Sequence, residues 1–185
     1  MERSFLKQCI DVEVDHWAQK SGKISLLQKT RFRYFQPESN AVYLIRKKLY
    51  YYSQGGKLGK IRARFLEVRL MRRYGIMVGD TCEIGLGFKI WHPSTIIINN
   101  ATIGEGFHIQ HNCTIGNKDR GPDGRGIGYK ENLPVIGNNV CMYAGSYILG
   151  RVQIADDVII GANTVVIHDA LEPGTYVGSP ARRVK

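Results

Sequence analysis

The chain has 185 residues, 43% of them hydrophobic, with 26 Lys and Arg against 16 Asp and Glu and a formal charge of +10. This is the composition of a soluble globular protein and the length of one ordinary domain or of a repeat structure with an appendage. No run of about 18 apolar residues occurs, so no membrane-spanning helix is expected. The amino terminus lacks the apolar stretch of a signal peptide, and a cytoplasmic location, with contact at the inner face of a membrane, is the expectation.

The basic surplus lies at the front of the chain. Residues 1–75 carry 17 of the 26 Lys and Arg but only 6 of the 16 acids. They read as a basic α-helical amino-terminal region, with helices near Arg3–Gln19, Asn40–Gln54 and Lys57–Tyr74. In the last of these, Ile61, Phe65, Val68 and Met71 recur at helical spacing while Arg62, Arg64, Arg69 and Arg72 line other faces. The Gln54-Gly55-Gly56-Lys57 segment separates two helices. So much positive charge suits a helical cap, a face resting on anionic lipid, or a merely solvated surface. No nucleic-acid-binding signature accompanies it, so no nucleic-acid partner is expected. Tyr50-Tyr51-Tyr52 beside Arg46, Lys47 and Lys48 favours an interface, because tyrosine rings are amphipathic.

A boundary is expected near Tyr74-Gly75, beyond which residues 76–185 follow a different beat. From Val78 to Ala170 an aliphatic residue returns every six positions: Val78, Ile84, Ile90 and Ile96, then, after one extra residue, Ile103, Ile109 and Ile115. After a long interruption the series resumes at Ile136, Met142, Ile148, Ile154, Ile160 and Val166. Four places on, each hexad again carries a small or apolar residue, from Cys82, Phe88 and Ser94 to Thr164 and Ala170; Asn100, beside the extra residue, breaks this second series. Six is three times the strand period, so one side of every short strand points the same way. Three strands make a triangular coil, and the reading is a parallel β-helix of hexapeptide repeats about five coils tall. A β-sandwich, the ordinary alternative, places its turns irregularly and does not require a sustained beat of six. Handedness does not follow from the pattern.

The four cysteines, Cys9, Cys82, Cys113 and Cys141, show no paired spacing and read as packed thiols. His92 and His111 each stand two places after the aliphatic residue of their hexads. Their separation of 19 is one coil plus the inserted residue, so they are expected on one corner of neighbouring coils, about 4.8 Å apart in backbone terms. Two stacked imidazoles make a candidate catalytic site, and the inserted residue nearby offers a bulge beside it. His108 is expected to point outward at another edge. Residues 117–134, rich in Gly and charge, read as a loop thrown out of the solenoid over a neighbouring active site.

Gly87-Phe-Lys-Ile-Trp-His92, Ile109-Gln-His-Asn-Cys-Thr-Ile-Gly116, the extruded loop and the closing Gly178-Ser-Pro-Ala-Arg-Arg-Val resemble the serine acetyltransferase branch of the hexapeptide-repeat acyltransferases. Within it, the run around His111, Thr114 and Gly116 looks closer to the colanic-acid and capsule-type polysaccharide O-acetyltransferases. The resemblance covers residues 76–185 and implies a left-handed β-helix, a homotrimer with active sites between subunits, and acetyl-CoA as donor. It places His92 at the catalytic base. It also places Met77 where serine acetyltransferases have an orienting Asp, and Leu133 where they have a second His before the loop-ending Pro. These departures direct the expectation to a sugar hydroxyl of a bacterial surface or exported polysaccharide, with serine as the alternative acceptor.

Acetyl transfer to an alcohol needs a base near neutrality, and His92 can take the hydroxyl proton and return it to the departing CoA sulfur. Backbone N–H groups or His111 would stabilise the oxyanion. Cys113 as an acyl carrier is the sharper alternative, set against its inward register. Ala144, Gly145, Gly161, Ala162, Gly178 and Ser179 are the small residues along which acetyl-CoA is expected to lie, with Arg182 and Arg183 at its phosphates. A non-enzymatic or zinc-binding β-helix using His92, His108 and His111 is the remaining alternative; no metal is expected.

Overall fold

A computed structural model describes residues 1–14, 26–116 and 133–184. Among the described residues, four α-helices precede a solenoid of fifteen short strands. Helix α1 spans Arg3–Cys9 and runs into a π-helical stretch, Ile10–Val14; α2 spans Leu26–Tyr34, α3 Pro37–Ser53 and α4 Gly56–Tyr74. Pro37 at the first turn of α3, with Glu38 beside it, suits a helix start. α4 ends where Gly75 turns left-handed at φ 64°, its N–H donating to Met71 O at 2.9 Å while Ile76 N–H reaches back to Leu70 O at 3.4 Å.

Three differences from the sequence expectation stand out. The first helix was expected to reach Gln19, but α1 gives way to the π-helical stretch after Cys9, and residues 15–19 lie outside those described. α3 begins three residues earlier than expected. α2 has no counterpart in the expectation, because it buries no residue and Leu26 and Leu27 are exposed, so it carries no core-facing stripe to be read.

The solenoid has three faces. Face A is the parallel sheet β1-β4-β7-β10-β13 (Met77–Val78, Ile97–Ile98, Thr114–Gly116, Tyr147–Leu149, Val165–Val166). Face B is β2-β5-β8-β11 (Glu83–Ile84, Thr102–Ile103, Val135–Ile136, Gln153–Ile154). Face C is β3-β6-β9-β12-β14 (Lys89–Ile90, His108–Ile109, Cys141–Met142, Val158–Ile160, Gly174–Val177), closed by antiparallel β15 (Arg182–Arg183). Four complete coils result, and β13, a bridge at Ala170 and β14 begin a fifth. This is the parallel β-helix of hexapeptide repeats, consistent with the left-handed form, that the beat of six and the resemblance together implied.

The interior repeats the sequence series with one revision. Val78, Ile84, Ile90, Ile103, Ile109, Ile115, Ile136, Met142, Ile148, Ile154, Ile160 and Val166 are all buried, and the Phe88 and Phe107 rings stack at 6.0 Å. The irregularity, however, is not a single extra residue near Asn100. Val78 pairs with Ile98, so the corner between β3 and β4 has six residues, 91–96, where the equivalent corner between β6 and β7 has four, 110–113. The next corner, 99–101, is one residue short. Hence Ile96 and Ala101 take the inward places expected of Ser94 and Asn100, and Ser94 is exposed. The sequence shows only the sum of these two changes.

The helices close the first coil. Leu44, Ile45, Leu49, Leu70 and Ile76 join one apolar core with Val78, Ile84 and Ile90. Arg46, fully buried, grips Glu13 through two nitrogens at 2.5 and 2.8 Å and donates to Ile84 O and Gly85 O, both at 2.6 Å. Glu13 in turn accepts the Gly87 and Phe88 N–H groups at 2.9 and 3.0 Å. Lys48, also buried, donates to Val78 O and pairs with Asp80 at 2.8 Å.

Candidate active site

The corner between faces C and A carries the histidines. Ile90 pairs with Ile109, and Ile109 with Met142, which pairs with Ile160. Counting two residues on from each puts His92, His111, Ala144 and Ala162 in one column up the same edge. The His92 and His111 rings lie 6.1 Å apart at 73°, edge towards face. No hydrogen bond joins them, and the buried Nδ1 of His111 has no hydrogen-bond partner among the described residues. The register puts the two imidazoles on neighbouring coils at one edge, but edge to face and not stacked.

His92 occupies the enlarged corner. At the regular turn position the successive coils place Thr95, Asn112, Gly145 and Asn163, all at positive φ. His92 adds a second left-handed residue, at φ 55°, to the first of these corners alone. The enlarged corner is tied to the helices, since Thr95 N–H donates to Tyr74 O at 2.9 Å at the end of α4. The exposed His92 ring thus stands on backbone fixed from behind.

A groove of about 470 Å³ runs beside this column on face A, lined by Thr95, Asn112, Gly145 and Asn163 from the corners and by Ile97, Thr114 and Tyr147 from the strands. Of the small residues expected to meet acetyl-CoA, Gly145 lines this groove, and Ala144, Gly161 and Ala162 share its edge. Two of them have a packing role of their own. A Cβ on Gly145, at φ +70°, would strike the Asn163 side chain, and one on Gly161 would lie 2.8 Å from Val177 Cγ1. Gly178 and Ser179 lie in the turn that follows β14, where Gly178 O accepts the N–H of Val165 of face A at 3.0 Å. Arg182 and Arg183 instead form the terminal strand of face C. Arg183 pairs with Glu172 at 3.3 Å and donates to Pro173 O at 3.0 Å, which occupies the guanidinium expected at a phosphate.

Thr114, Tyr147, Thr95, Asn112 and Asn163 were not expected as site residues from sequence. Thr114 and Tyr147 were within reach of the pattern: they are the outward residues of the strands that follow the histidine corner. Met77 is an outward residue of β1, and Leu133, half-buried, precedes β8. The expected loop lies almost wholly outside the described residues; the chain leaves face A at Gly116 and returns on face B at Val135, so the loop departs from a different edge than the one bearing His92.

The other chemistries lack support in the geometry. His108 is not at an edge but within β6, half-buried between Lys89 and Cys141 on face C; burial, then the nearby Lys89 charge, lower its pKa. It therefore stands apart from the His92 column, and among the described residues no three His, Cys, Asp or Glu side chains gather as metal ligands. Cys113 is fully buried, its thiol 3.1 Å from Tyr143 O, a packed group and not a nucleophile facing the groove. No helix among the described residues is long and apolar enough to cross a membrane.

Comparison with known proteins agrees with this architecture. The family model for the bacterial transferase hexapeptide (six repeats) matches residues 134–168. The serine acetyltransferase of Helicobacter pylori strain 26695 is 36% identical over 111 residues, covering 60% of this chain and 61% of that protein. Serine acetyltransferase 3, mitochondrial, of Arabidopsis thaliana is 33% identical over 124 residues, covering 66% and 30%. The chain thus spans less than two thirds of the length of these relatives. Among solved structures, Neisseria gonorrhoeae serine acetyltransferase superposes with a TM-score of 0.79 at 23% identity over 100% of this chain and 68% of that one. A serine acetyltransferase in complex with CoA gives 0.74 at 21% identity over 98% and 71%.

These findings correct the expected acceptor. The sugar-hydroxyl reading, and the capsule-type likeness and saccharide partner that went with it, rested on the run around His111 and on Met77 and Leu133. An alignment of 111 residues to serine acetyltransferases outweighs those few features. The chain carries the hexapeptide-repeat β-helix and is similar to serine acetyltransferases in sequence over 60% of its length, and in fold.

Proposed function

We propose that the protein transfers an acetyl group from acetyl-CoA to the hydroxyl of serine. The observation that carries this reading is the His92–His111 pair, standing beside a groove on a chain similar in sequence to serine acetyltransferases. In this reading His92 removes the hydroxyl proton as the oxygen attacks the thioester carbonyl. The same ring then gives that proton to the CoA sulfur as the carbon–sulfur bond breaks. In this reading His111, edge to face with His92 on the neighbouring coil, supplies a donor to the oxygen that gains charge. Met77 cannot orient an imidazole. The left-handed backbone at His92 and the Thr95–Tyr74 hydrogen bond supply that positioning in its place.

The pantetheine arm of acetyl-CoA lies in the groove past Gly145, along the edge formed by Ala144, Gly161 and Ala162, with Gly178 and Ser179 at its far end. Arg182, free of an acidic partner among the described residues, is better placed for its phosphates than Arg183. The groove is an open trough on one face, and a thioester in reaction is best shielded from water. A second copy of the chain supplies the missing wall, which is the role of the homotrimer.

The test is release of CoA thiol from acetyl-CoA in the presence of serine. The wild type is expected to turn over serine, and His92→Ala to lower kcat/KM by about 10²–10⁴-fold, the usual contribution of a general base. Absence of serine-dependent release from a protein that binds acetyl-CoA overturns the acceptor.

A further inference from the structure

Helix α4 presents two apolar faces, and the fold uses only one. Ala63, Leu70 and Tyr74 are buried against the rest of the protein. At about 100° per residue, Leu58, Ile61, Phe65 and Val68 fall within an arc of roughly 80° on the opposite side. They are 63%, 65%, 69% and 39% exposed. Nothing in the chain covers this stripe among the described residues, and a groove bordered by Phe65, Val68, Arg69 and Arg72 runs along it.

Charge identifies what covers it. Lys57, Lys60 and Arg64 border the stripe on one flank and Arg62, Arg69 and Arg73 on the other, all exposed, with Arg72 at its carboxyl-terminal end. The helix has one acid, Glu67, which lies towards the core and pairs with Arg64 at 2.6 Å. A second copy docking through the same face would set these bases against their own equivalents. A nucleic acid would meet the bases and leave four large apolar side chains in water. A bilayer surface with anionic headgroups satisfies both: the stripe enters the headgroup–acyl boundary while the flanking bases meet phosphates.

We infer that α4 is an interfacial helix that docks the protein on an anionic lipid surface through Leu58, Ile61, Phe65 and Val68. The contact is peripheral and is independent of which acceptor the enzyme uses. Because α4 ends at the hydrogen bond between Tyr74 and Thr95, it holds the His92 edge close to that surface.

Co-sedimentation of the full chain with vesicles tests this. Phosphatidylcholine vesicles containing about 30% phosphatidylglycerol are compared with phosphatidylcholine alone. The expected result is at least about tenfold tighter binding to the acidic vesicles, weakened by salt. Phe65→Glu and, separately, the pair Arg69→Glu and Arg72→Glu are each expected to reduce that binding by at least about tenfold. These positions are exposed, so thermal melting is expected to match the wild type, and the two variants perturb the face in different ways. Equal binding to both vesicles, or none, overturns the inference. So does binding that Phe65→Glu leaves unchanged, or a Phe65→Glu variant whose only change is a smaller assembly in sedimentation equilibrium. Binding of duplex DNA that Phe65→Glu does not weaken, with no binding to acidic vesicles, likewise overturns it in favour of a nucleic-acid surface.

Discussion

At the scale of single residues, the period of six locates side chains well. It places His92 and His111 on one edge because both follow an inward isoleucine by two positions, and those isoleucines pair in the sheet. The same period assigns Cys82 and Cys113 to the interior, where both are buried. Burial pushes the Cys82 thiol up to about 12 and the Cys9 thiol up to about 11, and it raises Cys141 as well. Thiolate, not thiol, is the reactive form, so these groups stay protonated and inert at neutral pH. An aromatic disulfide reagent at pH 8 is expected to label the native protein slowly and all four cysteines rapidly in denaturant. Rapid native labelling of Cys9 or Cys82 would contradict the packing. The period does not identify a residue's chemistry: His108 is aligned as regularly as His111, yet it faces Lys89 and Cys141 on another face.

At the scale of elements, legibility depends on whether a local pattern fixes the position. Strands are legible because each buries one residue per hexad. The corner that carries His92 is not, since a gain of two residues at 91–96 and a loss of one at 99–101 appear in sequence only as a net shift. Thr95 stands in that corner at φ 51°, where the equivalent corners use Asn112, Gly145 and Asn163. A β-branched residue in this conformation is strained, by about 1 kcal/mol or more. Thr95→Asn is accordingly expected to raise stability by about 1 kcal/mol in denaturant unfolding, and a loss of stability would show that the strain estimate is outweighed by lost contacts.

The attachment of the helices was equally hidden, because Glu13 and Arg46 are 33 positions apart. Their pair is fully buried, with every oxygen of Glu13 bonded. Arg46→Met leaves that carboxylate without its cation, at a cost of about 3–5 kcal/mol. Replacing both residues, as Glu13→Gln with Arg46→Met, is expected to recover part of that loss. Urea unfolding of the three proteins measures it, and a single variant as stable as the wild type would show that the pair does not hold the helices to the first coil.

For the whole molecule, the surplus of charge and the open groove both point outward from the single chain. The helical region holds most of the basic residues, and α4 turns its share to solvent. Face A exposes Met77 and Tyr147 beside the groove, each about two fifths accessible. We expect sedimentation equilibrium to give three chains per particle and Tyr147→Glu to shift the population towards single chains with loss of activity. A fully active single chain would contradict a groove that needs a second wall. The acceptor was the least legible property, because the period of six places side chains along the coils without saying which hydroxyl they receive.

The most direct test of the account is the rate of CoA thiol release from acetyl-CoA with serine, measured for the wild type and for His92→Ala at equal acetyl-CoA occupancy. The account predicts serine-dependent release by the wild type and a fall of about 10²–10⁴-fold in the variant. Serine-dependent release that survives His92→Ala unchanged would contradict it.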